Sequence, residues 1–158
     1  MALACQSPPT PVQKAQEKAG WKITFGSLSN QPLPPEAQAA DYLRRAIDGT
    51  VTTYWQSQAE AYAGMYLDLD LGKVKKIHGV VLDSSLKILS EDYPRGLVIF
   101  GATQEGQWKE LFRDYNIKPL DGRVRMEFPP VDVRYLRLQL LGGAPNKWWS
   151  IAEIDLLE

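Results

Sequence analysis

"MYLDLDLGKVKKIHGVVLD", residues 65–83, decides the fold class. Met65, Leu67, Leu69 and Leu71 alternate with Tyr66, Asp68 and Asp70, the period-two pattern of a strand with one face buried and one face wet. After the turn signal Leu71-Gly72-Lys73, "KIHGVVLD" adds a β-branched run that reads as another strand. Asp68, Asp70 and Gly72 share part of the spacing of a helix-loop-helix calcium site. The later loop ligand and the flanking helices of that motif are missing, so both acids read as the solvated face.

The same period extends outward in both directions. "WKITF" (21–25) puts Trp21, Ile23 and Phe25 on one face, and "GLVIFGAT" (96–103), "WKELF" (108–112), "RVRMEF" (123–128), "YLRLQLL" (135–141) and "AEIDLL" (152–157) continue the series. Polar turn signals such as Gln104-Glu105-Gly106 and Leu120-Asp121-Gly122 separate them. About eight strands of this kind predict an all-β sandwich or jelly roll. Only "PPEAQAADYLRRAIDG" (34–49) reads as helical, for a turn or two, entered through Pro34 and Pro35 and left at Gly49.

Residues 1–20 differ from the rest. They hold three prolines and no periodic apolar pattern, so they read as a flexible N-terminal tether or signal remnant, and residues 21–158 as one domain. "ALAC" resembles the end of a bacterial lipoprotein signal, which would make Cys5 a lipid attachment site; the other reading is a chance cysteine in an unstructured terminus.

Composition excludes several functions. A formal net charge of -1 over 158 residues leaves no basic excess for nucleic-acid phosphates. No run of about 18 apolar residues is long enough to span a membrane. A single cysteine, Cys5, rules out an internal disulfide, and with a single histidine, His78, it cannot form the usual Cys and His zinc site. His78 is also the sole histidine base for a Ser or Cys nucleophile, and its place in a strand reads as structural. Glu60, Glu91 and Glu105 fall in no motif that pairs carboxylates for glycoside hydrolysis. The expectation is a protein that is not an enzyme.

"RRAIDGTVTTYW" (44–55) is rich in oxygen ligands: Asp48 precedes Gly49 in a tight turn, followed by Thr50, Thr52 and Thr53. Such a turn suits a hard cation, and it equally suits side chains that bond their own backbone. "KWWSIAEI" (147–154) sets Trp148 beside Trp149, two rings that cannot face the same core from an extended chain.

Five stretches in order, "AIDGTVTTYWQS", "YLDLDLGKVKKIHGVVLD", "DYPRGLVIFGAT", "RYLRLQLLGG" and "WWSIAEIDL", together resemble the discoidin or coagulation factor type C domain. Within that superfamily they resemble the family 32 carbohydrate-binding modules. The resemblance spans about Trp21 to Glu158 and implies a jelly roll whose chain ends meet. It also implies a structural calcium ion (Ca2+), held by the carbonyls of Arg45, Thr50 and Ala152, the carboxylates of Asp48 and Glu153, and Thr53. Two carboxylates with neutral oxygens suit calcium better than a softer metal.

In sugar-binding members an aromatic just before the "AEI" strand stacks on a pyranose ring, and Trp148 falls at that position; Trp149 would turn inward. The apolar C–H face of a sugar matches an electron-rich indole, and a few polar groups then set its orientation. Galactose binders place a His where this chain has Gln56, and "DSSLKILSEDYPRG" has no clear Arg and Asn pair. Gln56, Asp41, Arg95 and Asn146 are therefore the polar candidates for another glycan.

The resemblance implies a non-catalytic module, cut from or tethered to a larger extracytoplasmic protein, that binds an oligo- or polysaccharide. The alternative is a discoidin-type adhesion module that binds membrane lipid or a protein, with Leu33, Ile88 and Leu89 as exposed apolar spikes.

Overall fold

The computed structural model describes residues 7–158. Eight strands form two antiparallel sheets around one apolar core. In the larger sheet, β1 (Lys22–Ser27), β3 (Met65–Asp83), β6 (Arg123–Gly142), β4 (Gly96–Ala102) and β5 (Lys109–Asp114) lie side by side in that order. The last strand, β8 (Glu153–Leu157), pairs with the second half of β3, while β1 pairs with its first half. The smaller sheet is a ribbon of β2 (Trp55–Glu60) and β7 (Trp148–Ile151).

The stretch 65–83 is one long strand rather than two. Its register against β6 slips between Asp70 and Lys75, where Gly72 adopts φ +77° and its N–H donates to Asp70 Oδ1 at 2.8 Å. Without a Cβ, Gly72 absorbs a left-handed bulge that lets the strand bend without ending. β6 likewise fuses two expected strands, and its second irregularity against β3, between Ile77 and Gly79, falls where Pro129 and Pro130 cannot donate to the ladder. Asp68 and Asp70 do lie on the outer face, where Arg137 and Arg134 each grip one of them through two hydrogen bonds.

The core joins the two sheets. Trp55 packs edge-on against Phe25 (4.8 Å between ring centroids) and against Trp149 (5.7 Å), and its indole N–H donates to the Ala37 carbonyl. Such edge-to-face pairs add to the gain from burying the rings. The helical stretch breaks into α2 (Pro35–Gln38), α3 (Ala40–Leu43) and a 3-10 turn (Arg44–Ala46), which bury Ala37, Leu43 and Ala46.

The N-terminal segment departs from the expected tether. Pro11–Glu17 is a helix, α1, started by a capping box between Thr10 and Gln13, and Lys18 beyond it is 3% exposed. Capping and one buried ion pair hold this segment, neither of which shows as apolar periodicity. Cys5 lies outside the described residues.

Candidate functional site

Two clusters are built on β7 and β8, one on the β2–β7 ribbon and one around Glu153 at the start of β8. On β7, alternation separates the adjacent rings: Trp149 is fully buried against Trp55, and Trp148 is 38% exposed. Gln56 stands opposite Ser150 on the outer side of the β2–β7 ribbon, and Trp148 stands opposite Glu60. Between them the ribbon bulges at Gln58, whose φ is +57°. The Ser57 hydroxyl, pointing inward there, accepts the Trp149 N–H at 2.9 Å and so keeps the buried backbone satisfied.

A polar network fixes the outer side of the ribbon. The Gln56 amide donates to Ser150 Oγ at 3.2 Å, and Ser150 Oγ donates to Asp92 Oδ2 at 2.7 Å. The Tyr42 hydroxyl accepts from both the Gln56 backbone N–H and the Gln58 amide. Asn146, at φ +60° and exposed, donates its backbone N–H to Glu60 Oε1. Trp148, Gln56 and Asn146 thus belong to the ribbon and the loop entering it. Asp41 is exposed on α3, beside Tyr42. Arg95 turns onto its own loop: it donates to the Tyr93 and Glu91 carbonyls, and its guanidinium stacks 3.6 Å from the Tyr93 ring centroid.

Tyr42, Gln58, Glu60 and Asp92 join this network without any sequence signal, since a bulge and a hydroxyl reaching from α3 to two positions on β2 leave no periodic trace. The adjoining surface is a groove of about 420 Å³ lined by Ser29, Pro32, Leu33, Glu60, Ala61 and Tyr62. Of the three apolar spikes expected, Leu89 is buried and Leu33 packs against the core; Ile88 alone is well exposed, at 71%. Leu89 belongs to a short 3-10 turn, Lys87–Leu89, which points it inward.

The second cluster surrounds Glu153. Asp48 Oδ1 accepts the Thr50 N–H, and Asp48 Oδ2 accepts the Thr53 hydroxyl, so this turn gathers a carboxylate and a hydroxyl. Arg45 lies in the preceding 3-10 turn, and Ala152 is buried between β7 and β8 with its N–H on the Asp83 carbonyl. Glu153 is buried; its Oε1 accepts from Lys18 Nζ at 2.8 Å, while Oε2 has no hydrogen-bond partner among the described residues.

Burial pushes the Glu153 carboxyl up to about 7; the Lys18 ammonium opposes that rise, and the nearby charges of Asp155 and Asp48 add to it. A buried carboxylate oxygen without a donor is costly unless a cation or proton meets it. Among the described residues, no three His, Cys, Asp or Glu side chains form a metal-ligating group. The Asp48 and Glu153 carboxylates and the Thr53 hydroxyl are nevertheless oxygen donors of the kind a hard cation takes.

The F5/8 type C domain model matches residues 29–154. Among solved structures, the module CpGH89CBM32-5 from Clostridium perfringens, in complex with GalNAc-β-1,3-galactose, superposes with TM-score 0.66 at 17% identity, covering 90% of this chain and 98% of its own. The family 32 module of NanJ from the same organism, in complex with galactose, gives 0.65 at 16% identity over 89% and 95%. A fragment of a putative chitobiase from Bacteroides thetaiotaomicron gives 0.70 at 16% identity over 100% and 98%. At these identities the likeness is one of fold. No curated protein matches the chain.

Proposed function

The chain belongs to the F5/8 type C domain family, and from that premise we propose that it is a non-catalytic carbohydrate-binding module that stacks a sugar ring on Trp148. The observation that carries this reading is the division of the tryptophan pair. An indole left 38% exposed next to a fully buried one offers an apolar face to solvent on a rigid strand. Stacking removes apolar area of both partners from water and adds attraction between C–H groups and the π face. Gln56, Asn146 and Asp41 are the groups we assign to orient sugar hydroxyls; Arg95, engaged with its own loop, shapes the rim.

The proposal extends to a structural calcium. Asp48, Thr53 and Glu153 would hold it through side-chain oxygens, with the carbonyls of Arg45, Thr50 and Ala152 completing the set. Its charge would neutralise two carboxylates and tie the 48–53 turn to β8. The unpartnered, buried Glu153 Oε2 supports this assignment, as does an Asp48 charge close enough to push the Glu153 carboxyl up.

A shallow site of this kind suits a module that serves a larger extracytoplasmic carrier, where weak single contacts gain from multivalency. Lipidation of Cys5 would be one means of anchoring such a carrier. Adhesion to membrane lipid has less support, because of the expected spikes Ile88 alone is well exposed; among the described residues, no helix is long and apolar enough to cross a membrane.

A glycan array probed with wild type and Trp148→Ala tests the reading. Signals on particular glycans that vanish with the substitution are expected. Sedimentation with anionic liposomes in the absence of any glycan signal would favour adhesion instead.

A further inference from the structure

Lysine is almost never fully buried unless paired, and Lys18 is 3% exposed. Its ammonium has three N–H donors and three acceptors: Glu153 Oε1 at 2.8 Å, the Ile154 carbonyl at 2.6 Å and Asp155 Oδ1 at 2.8 Å. Lys14 adds a second contact to Asp155 at 3.3 Å. The Arg44 guanidinium donates to the carbonyls of Lys18 and Trp21, and so fastens the backbone that leads from Lys18 into β1.

Helix α1 is thereby held over the Asp48–Gly49 turn. A Cβ on Gly49 would lie 2.4 Å from the Pro11 carbonyl oxygen and 2.7 Å from the Ala15 nitrogen. The N-terminal segment, read from sequence as a tether, therefore closes over the turn that carries Asp48.

Glu153 is shared between two demands. Oε1 is taken by Lys18, while Oε2, buried and unpartnered among the described residues, is the oxygen assigned above to a metal cation. Two cations on the two oxygens of one buried carboxylate repel each other, because the surroundings screen their charges far less than water does. Binding of one must then weaken the hold of the other, and thermodynamic linkage makes the effect reciprocal.

We propose that Lys18 is a tethered counter-cation that opposes a metal cation at Glu153, so that metal occupancy loosens the N-terminal segment and the latched segment weakens metal binding. The coupling rests on the calcium reading above. The latch itself follows from contacts within the chain.

The test compares the calcium-induced rise in Tm, calcium chloride against EGTA, for the full chain as wild type, Lys18→Met and Lys18→Arg. Without the internal cation the metal is the main charge able to satisfy Glu153, so the rise in Lys18→Met is expected to be at least about twice that of wild type. Lys18→Arg, which keeps the charge, should respond like wild type. Equal, non-zero rises in wild type and Lys18→Met would keep the metal and overturn the coupling. No rise in any of the three would remove the metal reading and the coupling with it.

Should Lys18→Met not fold, amine acylation of the wild-type chain followed by mass spectrometry reads the same coupling. Lys18 should be protected while the exposed Lys73 and Lys76 react, and calcium should increase its labelling. Labelling of Lys18 that calcium leaves unchanged would overturn the proposal.

Discussion

Replacing Trp149 by Ala removes a buried ring that packs edge-on against Trp55, and large-to-small changes of this kind cost about 3–5 kcal/mol. Urea denaturation should show that loss for Trp149→Ala, whereas Trp148→Ala, on the solvent side of the same strand, should unfold at nearly the wild-type midpoint. Charge on the outer face has a pH signature. The Arg134 hydrogen bonds hold the Asp70 carboxyl below its ordinary 3.8, against the smaller opposing effect of burial. A carboxyl whose value is lower folded than unfolded stabilises the fold above 3.8, and the contribution fades as pH falls through the folded value. The difference in denaturation midpoint between wild type and Asp70→Asn should therefore shrink as pH falls below 3.8, and a difference constant with pH would exclude the pair as its cause. Both partners are partly solvated, so the effect is small at any pH.

Element boundaries followed local chemistry more than pattern. Alternation located the core faces of β1, β3 and β6, because burial on one face imposes period two directly, whereas β4 is buried on both faces and reads as an apolar run. It split β3 and β6 in two, because Gly72 and the Pro129–Pro130 pair look like turns when the register across the sheet is unknown. It missed β2 and β7, where the bulge at Gln58 breaks the alternation and only four residues, Trp148–Ile151, form the partner strand. Helix α1 was hidden because it buries no residue of its own and is held by its cap and by Lys18 just past its end. That packing gives a test at Gly49: φ is +85°, and an added Cβ would strike the backbone of α1. Gly49→Ala should cost more than about 1 kcal/mol, since a strained conformation and a backbone clash act together. Limited proteolysis should cut residues 10–20 of this variant before those of wild type, and equal cutting of the two would show that the helix does not rest on the turn.

At the scale of the whole molecule, the long bent strands β3 and β6 support a small ribbon that presents Trp148, and six residues from Trp148 to Glu153 link that ring to the buried carboxylate. The fold was legible because the stretches read as strands cover all six strands of the larger sheet and five motifs stand in order along them; the count of eight matches only because two strands were split and two missed. Of the candidate site, motifs mark Trp148 and Glu153 but not Tyr42, Gln58, Asp92 or Lys18, which join these clusters only through tertiary contacts. Sugar stacking on Trp148 is the central claim, and one titration tests it most directly: the glycan that gives the strongest array signal, added to wild type, Trp148→Phe and Trp148→Ala in a calorimeter. Binding strongest for wild type, weaker for Phe and absent for Ala is the expected result; equal affinity in wild type and Trp148→Ala would contradict the account.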